Sequence, residues 1–219
     1  MPGIHLRPAL PDDIPEMIKV MQLAFRDSIL NQRSFPESDP QVQQHYTTWI
    51  TNNLKDPASL LIIASEEENE EDRTGTDPNP LHPIAGWARW VRRPIPLSTA
   101  SSRPSPAKVF TPGMYPKNGD GQFAARYYQA NYDATQRIVG SRSHWFLSML
   151  VVHPGLQRRG VGSTLMKFGT DRAGEEGWPV YVNSSVEGKA FYESFRCRIV
   201  DESELEGMVV GYHMLRDAA

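Results

Sequence analysis

The residues with the clearest chemical potential follow an apolar strand in the second half of the chain. The run from 150 to 162 reads Leu-Val-Val-His-Pro-Gly-Leu-Gln-Arg-Arg-Gly-Val-Gly, so a strand ends at His153-Pro154 and a helix begins at Gly160 after a basic turn. Unpaired N–H groups in a first helical turn, together with the helix dipole, attract anions. Glycine lets a ligand approach the backbone closely. The pattern predicts a phosphate site at the start of this helix.

Two glycine-rich nucleotide motifs do not fit this run. A dinucleotide fingerprint needs a third glycine after Gly160 and Gly162, and Leu165 stands there. A phosphate loop that starts at Gly155 needs Lys and then Ser or Thr after Gly160, whereas Val161 and Gly162 follow. The phosphate-bearing ligand is therefore expected to belong to another class.

The turn does match a third pattern, Gln/Arg-x-x-Gly-x-Gly/Ala, at residues 157–162. With the preceding strand and Pro154, it resembles the acyl-CoA-binding motif of the GNAT (GCN5-related N-acetyltransferase) superfamily. The pair Phe191-Tyr192 resembles the second signature helix of that family, and Ser185 with Gly188 matches a Ser-x-x-Gly turn of fungal-type members. The resemblance covers residues 144–215 well and 4–91 loosely, and it does not cover an insertion at 92–143.

The resemblance implies where an acyl-CoA would bind. The central strand is expected to bulge near its end and to splay from its neighbour, so that the pantetheine arm adds to its free backbone groups. Arg158 and Arg159 are expected to neutralise the diphosphate; the alternative is that they are solvated charges of the turn. The implied binding residues are Leu150, Val151, Val152, Gln157, Arg158, Arg159, Gly160, Val161, Gly162, Ser163, Asn183, Ser185 and Tyr192.

Transfer of an acyl group from a thioester to an amine needs a neutral amine and a proton for the departing thiolate. An alkylammonium with a pKa of about 10.4 is neutral in only roughly one molecule in a thousand near pH 7, so a base or a water chain is expected. By the resemblance, Tyr192 gives the proton to sulfur, unless it only packs beside Phe191. The backbone N–H of Val152 is expected to bind the thioester carbonyl.

The chain departs from the resemblance where a base is expected. Related branches carry a glutamate at the position of Phe146, or histidines at the positions of Phe146 and Ser148, so a strand-borne base is missing. Ser148 is a candidate for positioning a water, and His144 is a candidate titratable group, although a surface position is expected for it. The usual Gly-Phe is replaced by Arg196-Cys197, and Cys197 is expected to be a packing residue.

Composition bounds the kind of protein. A chain of 219 residues predicts one α/β domain over 1–219, and a net charge of −3 gives no electrostatic footprint for nucleic acid. The single cysteine suits a reducing compartment, and neither a signal peptide nor an apolar run that could span a bilayer is present. We expect a cytoplasmic protein, with nuclear access open, that binds no nucleic acid, membrane or metal; a homodimer stays open.

Hydrophobic periodicity supplies the scaffold for these residues. The GNAT resemblance implies a twisted mixed sheet of about six or seven strands flanked by helices. A helix is predicted from Pro11, capped by Asp13 with Glu16 three residues later. The other predicted elements are a strand at 4–7, a helix at 40–54, strands at 59–64 and 84–91, a helix that ends near Gly140, the central strand at 145–152, a parallel strand at 179–183, a helix from 184 to 195, and a closing hairpin of 198–200 with 208–215.

Three segments outside the motifs have expected positions. The acidic loop at 66–80 is interpreted as a solvated connection, with docking of basic peptides as the alternative. In the insertion, the helix before Gly140 is expected near the acceptor, and its Tyr127, Tyr128 and Tyr132 either line that site or pack onto the body. The loop at 28–38 is a further place for acceptor contacts.

The first hypothesis is an acyl-CoA-dependent N-acetyltransferase. It would transfer acetyl from acetyl-CoA to a primary amine of a small molecule by direct attack in a ternary complex. One alternative is protein or peptide N-acetylation, which predicts an open groove. The other is a catalytically weak CoA-binding module, which the missing strand base suggests. The sequence does not choose among polyamines, arylalkylamines, aminosugars, antibiotics and peptide termini as acceptors.

Overall fold

A computed structural model describes residues 3–66, 83–94, 108–140 and 142–218. Seven strands form one sheet in the order β1-β2-β3-β4-β5-β7-β6, in which β4 and β5 are parallel and the other neighbours are antiparallel. The elements are β1 Ile4–Pro8, α1 Ile14–Ala24, α2 Ile29–Ser34, α3 Pro40–Lys55, β2 Ser59–Glu66, β3 Ile84–Arg93, α4 Gly121–Val139, β4 His144–Val152, α5 Val161–Glu176, β5 Val180–Ser184, α6 Lys189–Ser194, β6 Arg198–Leu205 and β7 Met208–Arg216. The predicted α/β class and mixed sheet flanked by helices are confirmed.

The two faces of the sheet carry separate cores. On one face, Trp87 packs with α1 and α3 and donates its indole N–H to the Met17 carbonyl at 2.9 Å. On the other face, Trp90 packs under α5 and donates to the Leu165 carbonyl at 3.2 Å. A Cβ at Gly169 would lie 2.2 Å from the Trp90 ring, so the close approach of α5 requires glycine there. The helix that carries the predicted anion site is therefore held rigidly on the sheet.

The centre of the sheet is open where the sequence predicts it. Strand β4 pairs with β5 only from Trp145 to Leu147, so the two parallel strands separate beyond that point. On its other side, the register with β3 shifts so that Ser148 is an extra, bulged residue between Leu147 and Met149. The last residues of β4 consequently keep one backbone edge free.

Several predicted boundaries need correction. Asp13 does not cap α1, because its carboxylate accepts hydrogen bonds from the Arg7 guanidinium and the Leu10 N–H, each at 2.7 Å. Helix α1 begins at Ile14, after a 3₁₀ turn at Pro11–Asp13. Helix α6 begins only at Lys189, because the preceding residues form a turn.

Two further elements differ from the prediction. The loop at 28–38 contains α2, a helix of six residues whose first turn is capped by the Ser28 hydroxyl. Strand β6 continues to Leu205 because it pairs along the length of β7, through two register shifts. Most of the acidic loop and residues 95–107 of the insertion lie outside the described residues.

Candidate active site

A cavity of about 1820 Å³ occupies the gap between β4 and β5 and extends under α1, α3 and α4. A pocket for one drug-sized ligand typically measures about 300 to 1000 Å³, so this cavity has room for two substrates. Twelve of the residues predicted to act in binding or catalysis line it: Ser148, Leu150, Val151, Val152, Gln157, Arg158, Gly160, Gly162, Ser163, Asn183, Ser185 and Tyr192. Residues from strand, turn and helix that are separate in the sequence thus share one wall.

Two predicted binding residues do not line the cavity. Val161 is 1% exposed and belongs to the core beneath α5. The Arg159 guanidinium turns to Glu66, with its Nε 3.0 Å from the carboxylate Oε1. The side chains of the two turn arginines are therefore not equivalent, because Arg158 alone of the two faces the cavity.

The start of α5 has the geometry of an anion cradle. Gly160 precedes the helix with φ 91°, in the left-handed region that favours glycine, and Arg158 has φ 62°. The Gly160 carbonyl accepts the first helical hydrogen bond, from Thr164, so the N–H groups of residues 161–163 have no partner within the helix. The first turn carries no acidic residue, and the helix dipole is thus uncompensated there. The residues fit a phosphate group.

The free edge of β4 presents backbone donors to the same cavity. The N–H of His153 donates to the Ala85 carbonyl on β3 at 2.8 Å. Because N–H groups alternate in direction along an antiparallel strand, the N–H groups of Val152 and Leu150 point away from β3, towards the gap. An extended chain can therefore add to β4 as a further strand.

Tyr192 lies on the wall between these groups and the rest of the cavity. It is 8% exposed, and its ring centroid lies 5.1 Å from that of Phe191. Burial raises the pKa of Tyr192 well above its usual value, and the neighbouring Cys197 adds to the shift, so the phenol is protonated at neutral pH. Among the described residues, none hydrogen-bonds its hydroxyl. Burial likewise raises the pKa of the Cys197 thiol to about 11, in line with the expected packing role.

Ser148 is engaged by an arginine that the sequence did not indicate as functional. Arg89 on β3 donates from Nη1 to the Ser148 hydroxyl at 2.8 Å and from Nε to the Ser59 hydroxyl at 3.0 Å. Its side chain is only 11% exposed, and burial lowers its pKa to about 10. The sequence does carry one signal for it. Arg89 shares a strand face with Trp87, so alternation predicts a buried arginine, and buried arginines are rare.

A buried histidine on β7 was also missed. His213 is 1% exposed, with Nε2 2.8 Å from the Ser203 hydroxyl and Nδ1 2.8 Å from the Tyr181 hydroxyl. Its Nδ1 also lies 3.0 Å from Oδ1 of Asn183, which lines the cavity, and Thr135 contacts the Tyr181 hydroxyl at 3.2 Å. Burial lowers the pKa of His213, so its imidazole is neutral at pH 7. Its inward position in an alternating strand was the only sequence signal.

The expected surface position of His144 is wrong. Its residue is 5% exposed, because it begins β4 opposite Arg93 and lies edge-on to the Tyr181 ring. Its Nδ1 is 2.7 Å from the Arg142 carbonyl, and it lines the cavity. Burial lowers the pKa of His144, which leaves a neutral imidazole at the wall.

The part of the cavity away from α5 is walled by aromatic side chains. Tyr127, Tyr128 and Tyr132 of α4 all line it, and Tyr128 also packs against the core, so contact of these tyrosines with the acceptor stays a prediction. The rings of Tyr115 and Tyr128 stack at 5.5 Å with an interplanar angle of 7°. Residues 28–31 of the loop before α3 contribute as well.

The comparison with protein families decides the assignment. The sequence matches the family model described as acetyltransferase (GNAT) domain over residues 100–214, which is more than half of the chain. The chain belongs to the GNAT acetyltransferase family. No protein with a curated description matches the sequence.

The turn from Ser185 to Gly188 is present, and the Ser185 hydroxyl accepts a hydrogen bond from the Gly188 N–H at 3.2 Å. Membership of a fungal-type subgroup stays a prediction.

Solved GNAT structures share the fold at low sequence identity. A histone acetyltransferase HPA2 and related acetyltransferase from Corynebacterium glutamicum is 20% identical with a TM-score of 0.59, and covers 100% of this chain and 98% of its own. Arylalkylamine N-acetyltransferase 2 from Aedes aegypti is 13% identical with a TM-score of 0.61, and the match covers 99% of this chain and 100% of that one. PaiA N-acetyltransferase from Thermoplasma acidophilum, in complex with coenzyme A, is 10% identical with a TM-score of 0.55, and the match covers 98% of this chain and 99% of that one.

None of the described helices is long and apolar enough to cross a bilayer. The described residues contain no group of three or more His, Cys, Asp or Glu side chains arranged to hold a metal ion.

Proposed function

We propose that this GNAT chain is an acetyl-CoA-dependent N-acetyltransferase whose acceptor is the primary amine of a small molecule. One observation carries the proposal: a single cavity joins the anion cradle at α5 to an aromatic chamber, with Tyr192 on the shared wall. Both substrates can then be bound together, and the amine attacks directly in a ternary complex. We take the domain to span residues 1–219.

Named backbone and side-chain groups would hold acetyl-CoA. The N–H groups of residues 161–163 and the Arg158 side chain would bind the diphosphate. The free edge of β4 would pair with the pantetheine arm, and the Val152 N–H would bind the thioester carbonyl. The PaiA structure in complex with coenzyme A supports a CoA site in this fold.

Acetyl-CoA supplies the acetyl group as a thioester, so the new C–N bond forms as the C–S bond breaks and sulfur leaves with the electron pair. Tyr192 would donate its O–H to that sulfur: burial keeps the phenol protonated, and the thiolate forms at the same buried wall, where lost solvation raises its proton affinity as well. The proton lost by the amine would pass to water that enters the cavity.

The number of elements around the acceptor part of the cavity favours a small acceptor over a protein. A groove for an extended peptide needs two flanking walls, whereas α1, α3, α4 and the segment 108–115 all contribute walls here. The names of the structural neighbours do not decide, since one refers to histones and another to arylalkylamines. A cytoplasmic location and a homodimer stay predictions.

A free-thiol assay with acetyl-CoA tests the proposal. Polyamines, arylalkylamines, aminosugars, amino acids and short peptides serve as acceptors, and mass spectrometry identifies any acetylated product. We expect saturable thiol release above hydrolysis with a small amine. Calorimetry with CoA runs in parallel: binding without release for any amine supports the CoA-binding module, and a preference for peptides supports protein N-acetylation.

A further inference from the structure

The acceptor part of the cavity carries an excess of positive charge. Its charged wall residues, apart from Arg158 at the cradle, are the cations Arg89, Arg93, Lys108 and Arg142 and the anions Asp27 and Glu187. A small amine that carries a second cation would be repelled by such a wall. The excess therefore argues against a polyamine and calls for an anion in this chamber.

Arg89 is the buried member of this set, and its charge is poorly neutralised. A guanidinium has five N–H donors, and two of those of Arg89 bond the neutral hydroxyls of Ser148 and Ser59. The nearest carboxylate oxygen, Oδ2 of Asp56, is 3.9 Å from Nη2, beyond hydrogen-bond distance. A buried charge without a close counter-ion is unfavourable, and a bound oxyanion would compensate it.

The residues around Arg89 add positive charge. Burial, followed by repulsion from Arg93, lowers the pKa of Arg89 to about 10, and Asp56 only partly opposes this shift. Within the described part of the chain, Arg93, Lys108 and Arg142 have no carboxylate at salt-bridge distance. The segment 95–107, which links Arg93 to Lys108, contains neither Asp nor Glu in its sequence.

We propose that the acceptor amine carries an oxyanion, a carboxylate or a phosphate, and that Arg89 binds it. This inference rests on the proposed function and narrows its acceptor to amino acids and similar amines. The planar guanidinium matches either oxyanion with two parallel hydrogen bonds. Ser148 and Ser59 hold the guanidinium at the cavity wall, so Ser148 acts as a positioning residue rather than as the holder of a water.

Matched acceptors that differ in the oxyanion alone test the inference. Tyramine is compared with tyrosine, phenethylamine with phenylalanine, and ethanolamine with phosphoethanolamine, each as kcat/KM for thiol release from acetyl-CoA. One charge-assisted hydrogen-bonded contact predicts that the anionic member is preferred by roughly tenfold to a hundredfold. The first two pairs report a carboxylate site, and the third pair reports a phosphate site.

Variants of two arginines on β3 distinguish binding of the oxyanion by Arg89 from a general effect of positive charge on the protein. In Arg89→Gln, the preference is expected to fall to about one through a higher KM for the anionic acceptor alone; Arg89→Lys keeps a charge and retains part of it. The control is Arg92→Gln. Arg92 faces away from the cavity, where it pairs with Glu176 at 2.8 Å, so the preference should not change.

A preference of the wild-type enzyme for the uncharged member of each pair would overturn the inference, as would an unchanged preference in a folded Arg89→Gln. If Arg89→Gln does not fold, a preference in Arg89→Lys equal to that of the wild type has the same meaning. Calorimetric titration of tyrosine, phenylalanine and phosphoethanolamine keeps the two proposals apart. Binding that needs Arg89 without any thiol release supports the oxyanion site and contradicts the enzyme, and absence of binding contradicts the site.

Discussion

The two ends of the cavity are built from different parts of the chain. The cradle end uses backbone N–H groups of the first turn of α5 and the free edge of β4, which all fall within residues 150–163. The acceptor end uses side chains from α1, α3, β3, the segment 108–115 and α4. One end is thus a local backbone site, and the other is assembled from side chains that are far apart in sequence.

This difference in construction has a physical consequence. A backbone site needs a spacing, a glycine such as Gly160 and a helix N-terminus, and it tolerates many side chains at the other positions. A side-chain site changes whenever one of its members changes. GNAT chains with the same cradle can therefore accept different amines, and the acceptor has to be inferred from residues such as Arg89 and the aromatic walls.

The largest effect is expected at Tyr192, where the two ends meet. In Tyr192→Phe the proton donor is lost, so kcat for thiol release should fall roughly a hundredfold or more. Calorimetric CoA affinity should change little, because the ring keeps its contact with Phe191 and the hydroxyl contributes a single contact, to sulfur. The matched control is Tyr212→Phe, since half-buried Tyr212 on β7 does not line the cavity.

Two outcomes would contradict that assignment. A Tyr192→Phe variant with full kcat would make the tyrosine a packing residue, as the alternative interpretation holds. Weaker CoA binding with an unchanged kcat would place its function in the cradle alone. In either case the two ends of the cavity would not share a catalytic group.

Most of the fold and the cradle were predictable because their signals are local. Alternation along β3 correctly separates Trp87 from Trp90, and the spacing from Gln157 to Gly162 correctly identifies the start of α5. The bulge of β4 follows from the family resemblance and is present at Ser148. The first two depend on fewer than about ten neighbouring residues, which is the range over which strand alternation and turn motifs act.

The acceptor end could not be predicted because its contacts depend on sheet register. Arg89 meets Ser148 only because a bulge offsets β4 against β3, and Ser59 comes from a third strand. His213 lies outside the cavity lining, and its burial likewise depends on β5, β6 and α4 packing around it. Helix α2 has six residues, too few to show a hydrophobic period, and its capping serine is a weak signal by itself.

The next largest effect concerns Arg158 and Arg159, which the sequence motif predicts to have the same role at the diphosphate. Arg158→Ala should weaken CoA binding roughly tenfold, since its side chain lines the cavity near the unpaired N–H groups of α5. Arg159→Ala should change the affinity much less, because Glu66 already binds that guanidinium. Calorimetry with CoA measures both. Equal losses would mean that Arg159 leaves Glu66 when CoA binds, and that both arginines neutralise the diphosphate.

The smallest effect is a dependence of stability on pH that comes from histidines outside the cradle. Burial lowers the pKa of His45, His144 and His213, and none of the three lies at the cradle. In the unfolded chain an imidazole has a pKa of about 6.5 and takes up a proton below it, while the folded protein does not. The stability from the neutral histidines is therefore complete above about pH 6.5 and is lost progressively as the pH falls towards the folded pKa values.

Urea unfolding between pH 7.5 and pH 5.5 measures this loss as the slope of the unfolding free energy against pH. His213→Gln should reduce that slope. The slope is the informative quantity, because the substitution also removes hydrogen bonds to Ser203 and Tyr181 and lowers stability at every pH. The matched control is His5→Gln, at an exposed position on β1, which should leave the slope as in the wild type. If His213→Gln keeps the full slope, His213 already carries a proton in the folded protein, and the buried network contains an imidazolium rather than a neutral ring.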